Sequence, residues 1–369
     1  MTKIDPYFAD EIKKYGAKDF EACFNCGNCT AVCTLSEKTT NFPRMMIRLG
    51  KLGLKKDILA SQEPWLCYSC GDCSETCPRQ AAPDQYMAAI RRYSISAHEP
   101  TGITRLMFRS NAMFILITLV IAIFLGFFLL TLKPEHVVAR SIFNFIPYNV
   151  IHSMGILIFS FTGLSIFWGI SSMLVRSNRS QNKERKSKAG FFKAVSLVIS
   201  ELATMKRYQN CDTEEDSFWK NKPWYIKPWF VHWSVMWGFL GLLLATILDF
   251  ILKDPATSIW WPSRILGTIS GIFMIYGSSL AINYRLKKVT QNYSETRMAD
   301  WAFLWFLWVA GITGFWLEAS VFFGTDNLLN NIIFLLHTVI SMELVLLFAF
   351  SKFAHAVYRP LALFFYFKN

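Results

Sequence analysis

The run CFNCGNCTAVC at residues 23–33 sets four cysteines two, two and three residues apart, and CYSCGDCSETC at residues 67–77 repeats the spacing. Eight of the nine cysteines of the chain lie in these two runs. A pair of C-x2-C-x2-C-x3-C runs is the bacterial ferredoxin spacing, in which thiolates hold two iron–sulfur clusters. Three cysteines at three-residue intervals sit on a tight turn and reach three corners of one cubane, while the fourth ligates the other cluster. The spacing thus predicts two crossed sets: Cys23, Cys26, Cys29 and Cys77 for one 4Fe-4S cluster, and Cys67, Cys70, Cys73 and Cys33 for the other. Gly27 and Gly71 fall inside the runs, where the backbone must turn closely around sulfide. Pro78 follows Cys77 in the usual way, but Thr34 follows Cys33.

Zinc and disulfides are the competing uses of cysteine. Structural zinc sites prefer separated C-x2-C pairs over unbroken runs of four. Disulfides need an oxidising compartment, and the opening MTKIDPYFADEIKKYG lacks the apolar core of a signal peptide. Cys211 stands apart in a charged loop and reads as a free thiol.

The 369 residues are 53% hydrophobic and 16% aromatic, with a mean hydropathy of +0.29. That is too apolar for an ordinary soluble enzyme. The apolar residues concentrate after position 110, in candidate membrane spans at roughly 111–132, 150–175, 229–252, 263–284, 300–323 and 329–357. Six spans put both termini on one side. The segment 176–228 between the second and third spans carries 12 Lys and Arg, and 285–300 carries Arg285, Lys287, Lys288 and Arg297. The opposite loops hold Lys133, Arg140 and Lys253, with Arg264 at a rim. Basic loops stay cytoplasmic, so the chain is expected in the cytoplasmic (inner) membrane with both termini in the cytoplasm.

The net charge of +12 is therefore mostly membrane flanking. Residues 1–105 hold 14 Lys and Arg against 12 Asp and Glu, a balance that excludes the concentrated basic face of a nucleic-acid binder. The expected organisation is a two-cluster iron–sulfur domain over 1–105 and a six-span haem domain over 106–369, with a basic loop at 176–228. The fold class is all-α. Residues 42–60 and 84–95 read as helices, and strand alternation is absent. The stretch FFKAVSLVISELATMKR at 191–207 has helical apolar spacing and lies either on the inner membrane surface or against the cluster domain.

Four of the six histidines, His152, His232, His337 and His355, fall in the predicted spans, where polar residues are costly and usually functional. His337 and His355 are 18 residues apart in the last span, which on one helix is five turns and about 27 Å. One helix would then offer axial imidazoles to two stacked haems. Matching depth pairs His232 with His355 around an inner haem, and His152 with His337 around an outer one. A lone histidine in such a bundle is otherwise a hydrogen-bonded core residue. His136, beside Glu135, reads as solvated and His98 as a surface residue of a polar linker. Glu343 is a candidate proton relay, and Lys352 and Arg359 either meet haem propionates or anchor the cytoplasmic flank. Tyr148, Asn149 and Asp249 are polar groups expected near the outer face.

CFNCGNCTAVC, FPRMMIRLGKLGL and WLCYSCGDCSETCPR together resemble the iron–sulfur C-type component of heterodisulfide reductase, whose fold is an α-helical ferredoxin with two 4Fe-4S clusters. The six-span half, with WFVHWSVMWGF opening its third span, resembles the cytochrome b component of that reductase and more distantly the gamma component of respiratory nitrate reductase. The fusion of both halves resembles the C-type membrane component of quinone-interacting membrane-bound oxidoreductases. That resemblance implies an α-helical ferredoxin domain fused to a transmembrane cytochrome b bundle, with haem b, menaquinone as membrane substrate, and two heterodisulfide-reductase-A-like flavoprotein partners. It implies adenylylsulfate reductase as soluble acceptor. The alternatives are a heterodisulfide-reductase-like or sulfite-reduction-associated module and a non-catalytic electron-transfer anchor. The nitrate reductase component carries two histidines on each of two helices, whereas here one pair is split between His152 and His232.

Overall fold

A computed structural model describes residues 4–36, 42–132, 145–180, 190–212, 218–252, 262–324 and 327–368. His136 and Glu135, together with Lys133, Arg140, Lys253 and the basic run 181–189, lie outside the described residues. Every regular element among the described residues is helical, and there is no strand.

The N-terminal layer consists of short helices: α1 (Phe8–Lys14), α2 (Asn28–Ala31), α3 (Arg44–Lys51), α4 (Lys55–Ala60), α5 (Glu63–Leu66), α6 (Asp72–Glu75), α7 (Pro83–His98) and α8 (Ile103–Arg109). Phe8, Tyr15, Phe20, Trp65 and Tyr86 are buried at its centre. Burying each such side chain contributes about 1.5–3 kcal/mol, enough to order helices too short to persist alone. The Tyr86 hydroxyl donates to the Met46 carbonyl at 2.8 Å, tying α7 to α3.

Six longer helices follow: α9 (Asn111–Thr131), α10 (Tyr148–Ser180), α13 (Pro228–Leu252), α14 (Pro262–Lys287), α15 (Met298–Phe322) and α16 (Leu328–Leu346). Between α10 and α13 run α11 (Phe191–Thr204) and α12 (Lys206–Asp212), and the chain closes with α17 (His355–Lys368). The six are long and apolar enough to cross a membrane. Their outward faces carry Ile123, Leu164 and Phe167, each at least 70% exposed; such a girdle suits lipid and not water. Helix α13 lies so close to α14 that a Cβ on Gly238 would stand 2.6 Å from the Met274 amide nitrogen, the close backbone approach that small residues permit in membranes.

The expected last span, 329–357, is not one helix. Helix α16 stops at Leu346, and a turn leads through a short 3-10 segment, Lys352–Ala354, into α17. Two contacts account for the break. Phe353 packs between Phe239, Phe303 and Phe348 at centroid distances of 4.7, 3.9 and 5.6 Å, and Lys352 turns to Asp300 at 2.8 Å. His337 and His355 therefore sit on separate helices, and the five-turn register does not hold.

The N-terminal layer is packed onto one end of the bundle. Its core continues through Met107, Phe108 and Phe114 to Tyr358, Ala362 and Leu363 of α17. Helix α11 packs against α17, leaving Phe192 87% exposed. The connection after α14 reaches the same layer: Asn292 Nδ2 donates to the Ser69 carbonyl at 3.0 Å, and Lys18 pairs with Glu295 at 3.1 Å. At the centre of the junction the buried Asp300 carboxylate takes Arg92 of α7 at 3.2 Å and Lys352 at 2.8 Å.

Asp300→Ala strands two cations in that junction, and removing one member of a buried ion network costs about 3–5 kcal/mol. We expect a clearly lower thermal denaturation midpoint for detergent-solubilised Asp300→Ala. Lys18→Ala, which breaks an exposed pair worth about 0–1 kcal/mol, serves as the comparison; equal midpoints for the two variants would refute the assignment.

Candidate electron-transfer sites

The two cysteine runs fold alike. Asn25 and Ser69 take left-handed φ of +65° and +58°, and Gly27 and Gly71 follow at +96° and +106°, values that favour residues without a Cβ. This turn points the Asn25 amide at Cys23 Sγ (3.4 Å) and the Ser69 amide at Cys67 Sγ (3.3 Å). Each turn opens a single-turn helix, α2 or α6, and the two helices pack on each other. Asn28 Nδ2 donates across them to the Thr76 carbonyl at 2.6 Å.

Helix α2 ends at Ala31 and α6 at Glu75, each two residues short of the last cysteine of its run. Had the helices continued, Cys29 and Cys33 would share a face, as i and i+4 residues do. Instead the last cysteines cross. Cys23, Cys26 and Cys29 line one cavity with Cys77, and Cys67, Cys70 and Cys73 line a second with Cys33. Among the described residues no three His, Cys, Asp or Glu side chains converge as a single metal ion requires; the sulfurs rim cavities instead.

Burial pushes the Cys29 thiol up to about 11 and the Cys33 thiol up to about 12, with neighbouring sulfurs adding to both. Cys73 lies well above the ordinary thiol range for the same reason. Four thiolates in such a cavity repel one another, so deprotonation has to be coupled to a cationic core. The cysteine donor set, turned toward a cavity with backbone amides on its sulfurs, fits an iron–sulfur cluster.

Cys211 changes status. It is buried and lines the second cavity beside Cys33, Cys67, Cys70 and Cys73. Its position 134 residues beyond Cys77 gave no spacing signal, because helix α12 brings it there through the tertiary fold.

In the bundle, His232 of α13 and His355 of α17 face each other with ring centroids 6.2 Å apart and planes at 78°. Two metal–imidazole bonds of about 2.0 Å each, added to the depth of the two rings, leave room for one metal between them. His355 Nδ1 lies on the Lys352 carbonyl. A carbonyl only accepts, so Nδ1 holds the proton and Nε2 keeps its lone pair for a metal.

His152 and His337 line one large cavity of about 520 Å³ between α10, α13, α14, α15 and α16, within the range of cofactor pockets. The Thr313 hydroxyl donates to the Val309 carbonyl at 2.7 Å, so His337 Nδ1, at 3.0 Å, donates to that hydroxyl and presents Nε2. His152 is stacked on Phe250 at 4.8 Å and 25°. Tyr148, Asp249, Arg264 and Glu318 add polar groups to the same cavity. Asp249 accepts from Ser263 at 3.1 Å, and Glu318 accepts from Thr268 at 3.1 Å.

A series of rings joins the second cysteine cavity to the His232–His355 pair. Tyr68, next to Cys67, stacks on Tyr208 at 4.7 Å and 22°. Tyr208 meets His232 edge-on at 6.0 Å. The Arg359 guanidinium lies 3.7 Å over the Tyr68 ring and donates to the carbonyls of Trp65, Leu66 and Cys67. The Tyr68 hydroxyl donates to Glu201, and burial pushes it up to about 12.

These contacts revise the readings of Arg359, Lys352 and His98, as they do that of Cys211. Arg359 holds the end of α5 and Lys352 holds Asp300, so neither is a solvated anchor. His98 is buried between Trp65 and Tyr358 with Nδ1 on the Ser172 hydroxyl at 3.2 Å; burial and then Arg176 lower it to about 3, which keeps it neutral. Glu343 is buried, and its Oε1 makes no hydrogen bond.

The 4Fe-4S dicluster domain family matches residues 19–81. Over 77 residues the chain is 39% identical to the C-type component of the H(2):CoB-CoM heterodisulfide,ferredoxin reductase of Methanothermobacter thermautotrophicus, covering 21% of this chain and 42% of that protein. It is 34% identical over 92 residues to a protein of Archaeoglobus profundus that is like the C-type component of heterodisulfide reductase, 25% of this chain and 49% of that one. Over 109 residues it is 30% identical to the iron-sulfur C-type component of the CoB--CoM heterodisulfide reductase of Methanopyrus kandleri, 26% of this chain and 57% of that protein. The matches thus span about half the length of these relatives. No solved structure matches. Residues 19–81 are a 4Fe-4S dicluster domain similar to that of the C-type components of heterodisulfide reductases, and this chain joins it to six helices able to cross a membrane.

Proposed function

We propose that the chain is the membrane subunit of a menaquinol-linked respiratory oxidoreductase that carries electrons between the bilayer and cytoplasmic partners. The observation that carries the reading is the unbroken ring series Tyr68–Tyr208–His232–His355 between the second cysteine cavity and the bundle. A protein that merely anchored a soluble partner has no need of side-chain contact between its cysteine site and its intramembrane histidines.

In this reading Cys23, Cys26, Cys29 and Cys77 hold one cluster, and Cys67, Cys70, Cys73 and Cys33 the other. His232 with His355, and His152 with His337, hold two b haems. When bound, these groups supply one-electron carriers with potentials set by ligand, hydrogen bonding and burial. The protein's own part is to fix the imidazole tautomers, keep water from the second cavity and hold the two sites in contact. The first cavity is the outlet: Cys26 is exposed and Phe24 beside it is 60% exposed, as an encounter with a soluble partner requires. Flavin-containing heterodisulfide-reductase-A-like proteins are the partners, and adenylylsulfate reductase is the acceptor. The N-terminal layer and the basic connections lie on the cytoplasmic side, consistent with the positive-inside rule. The menaquinol site lies at the far end of the bundle, by the 520 Å³ cavity, so that both haems are stations on one path.

The test is reduction of the reconstituted chain by a menaquinol analogue, followed by rapid-mixing absorbance. Haem and cluster reduction are both expected in the parent, and Tyr208→Leu is expected to slow the clusters while leaving haem reduction at the parental rate. Quinol that reduces no haem in the parent would identify an anchor.

Crossed ligation makes a separate expectation. Cys77→Ser should perturb the same low-temperature spectral component as Cys23→Ser, and Cys33→Ser the same component as Cys67→Ser. Pairing of Cys77→Ser with Cys67→Ser would rule the crossing out. Iron loss on acidification is expected in the parent, because protons compete with iron for thiols whose folded values are raised.

For the haems, redox-titrated spectra should resolve two components in the parent. His232→Ala and His355→Ala should remove one and the same component and His337→Ala the other. With the outer pair gone, quinol-driven reduction of the inner haem and the clusters should be lost; parental rates in His337→Ala would refute the far-end quinol site.

A further inference from the structure

Helix α12 carries two side chains three residues apart on one face. Tyr208 is the middle of the ring series, and Cys211 reaches the second cysteine cavity. Cys211 is held there on several sides. It lines the same cavity as Cys70, and Cys70 packs against the buried cluster to which Cys211 belongs. The Cys211 Sγ lies 3.2 Å from the Thr34 hydroxyl, and its S–H has the Arg207 carbonyl as an acceptor at 3.5 Å. Cys211 shares a buried cluster with Met205 and Tyr208, against which Tyr68, Trp229 and Trp233 pack. Thr34 is the residue that stands where the first run lacks the proline found after Cys77. A proline there would have no hydroxyl to offer, so the departure from the repeat has a structural use.

We propose that Cys211 is a fifth, non-ligating thiol of the second cluster site, which donates its S–H to the Cys70 sulfur and raises the reduction potential of that cluster alone. The inference rests on the two-cluster reading above. With Cys70 a cluster-bound thiolate, its sulfur is the strongest acceptor within reach of the Cys211 proton, since hydrogen bonds to ionised acceptors are the stronger ones. The Thr34 hydroxyl then donates to Cys211 Sγ, and the run Thr34 O–H, Cys211 S–H, Cys70 S⁻ is satisfied throughout. Hydrogen bonds to cluster sulfurs are among the determinants of cluster potential, because they draw off thiolate charge that oxidation would otherwise relieve. No counterpart of Cys211 lines the first cavity among the described residues. The two equally spaced cysteine runs are thus made unequal by a residue from the membrane half, and the cluster nearer the bundle becomes the better electron acceptor of a quinol-fed chain. Cys211 is a positioning and tuning residue and not a catalytic one.

The experiment is a spectroscopically monitored redox titration of the full-length protein in detergent, with iron content measured on the same samples. In Cys211→Ala one of the two cluster midpoints is expected to move to lower potential, changing the reduced-to-oxidised ratio at the parental midpoint about three- to fivefold, the worth of one modest hydrogen bond. The other midpoint stays in place. Cys211→Ser, which keeps a donor, is expected to lie between Cys211→Ala and the parent. Thr34→Val leaves the thiol in place and removes the hydroxyl that orients it, so it should shift the same midpoint in the same direction; it serves as the reading if Cys211→Ala does not assemble its cluster. Unmoved midpoints in these variants, or an equal shift of both clusters, overturn the inference. Loss of iron matching one cluster in Cys211→Ser also overturns it, since a ligand and not a tuning donor would then have been removed. A parent without clusters overturns the two-cluster reading and this inference together, whereas two intact clusters with unchanged midpoints overturn this inference alone.

Discussion

The Arg359 guanidinium is the contact on which the arrangement of this molecule turns. From the first turns of the last helix it donates to three successive carbonyls, those of Trp65, Leu66 and Cys67, and lies flat over the Tyr68 ring. Those carbonyls end a one-turn helix and have no partner within it, so an outside donor must satisfy them. Arginine suits the task because its planar fork makes several hydrogen bonds and stacks on an aromatic face at the same time. The bond fixes the start of the second cysteine run against the helix that begins with His355. Distances between the cysteine cavity and the His232–His355 pair are consequently set by packing and not by a tether.

Around that contact the junction is built from charge in places where water is scarce. Asp300 sits between Arg92 and Lys352, and Arg297 donates to the carbonyls of Lys14 and Phe108 at 3.1 Å each. Isolated buried charges would be prohibitive, but each here has a partner. Directional ion pairs and carbonyl caps define one docking pose more narrowly than apolar contact alone would. The apolar surface beneath them, from Phe8 through Met107 to Leu363, supplies the bulk of the cohesion.

The two cavities in the N-terminal layer differ in ways that follow from which neighbours they have. The first borders solvent, with Cys26 exposed. The second is lined by Tyr68 and Cys211, which belong with Tyr208, Trp229 and Trp233 to one packed cluster. Identical cysteine spacing thereby meets different burial and different hydrogen bonding, the two factors besides ligand type by which a protein sets a cluster's properties. An internal repeat has been given two unlike surroundings.

Much of this was readable in the chain. The spacing of Cys23–Cys33 and Cys67–Cys77 specifies the turns, because a three-residue interval on a tight loop is a local property, and Gly27 and Gly71 mark where φ must be positive. Uniform apolar stretches specify the long helices for the same reason, since a segment in lipid has to satisfy its backbone within itself. Depth matching on an unbroken last span leads to the expectation that His232 and His355 pair; the span is broken, and the fold brings the two rings to 6.2 Å by packing instead. What sequence could not supply was whatever depends on residues far apart meeting. Cys211 read as a loop thiol, and Arg359 and Lys352 as haem-propionate partners or flank anchors, because nothing local distinguishes them, and His98 read as exposed because its neighbours in sequence are polar. The break after Leu346 lay in an unbroken apolar run, where helix and turn look alike; it exists because Phe353 and Lys352 find partners on α13, α15 and across the turn. Local geometry was written in local sequence, and the coupling of the two halves was decided by tertiary contacts, since burial and charge pairing are properties of neighbours in space.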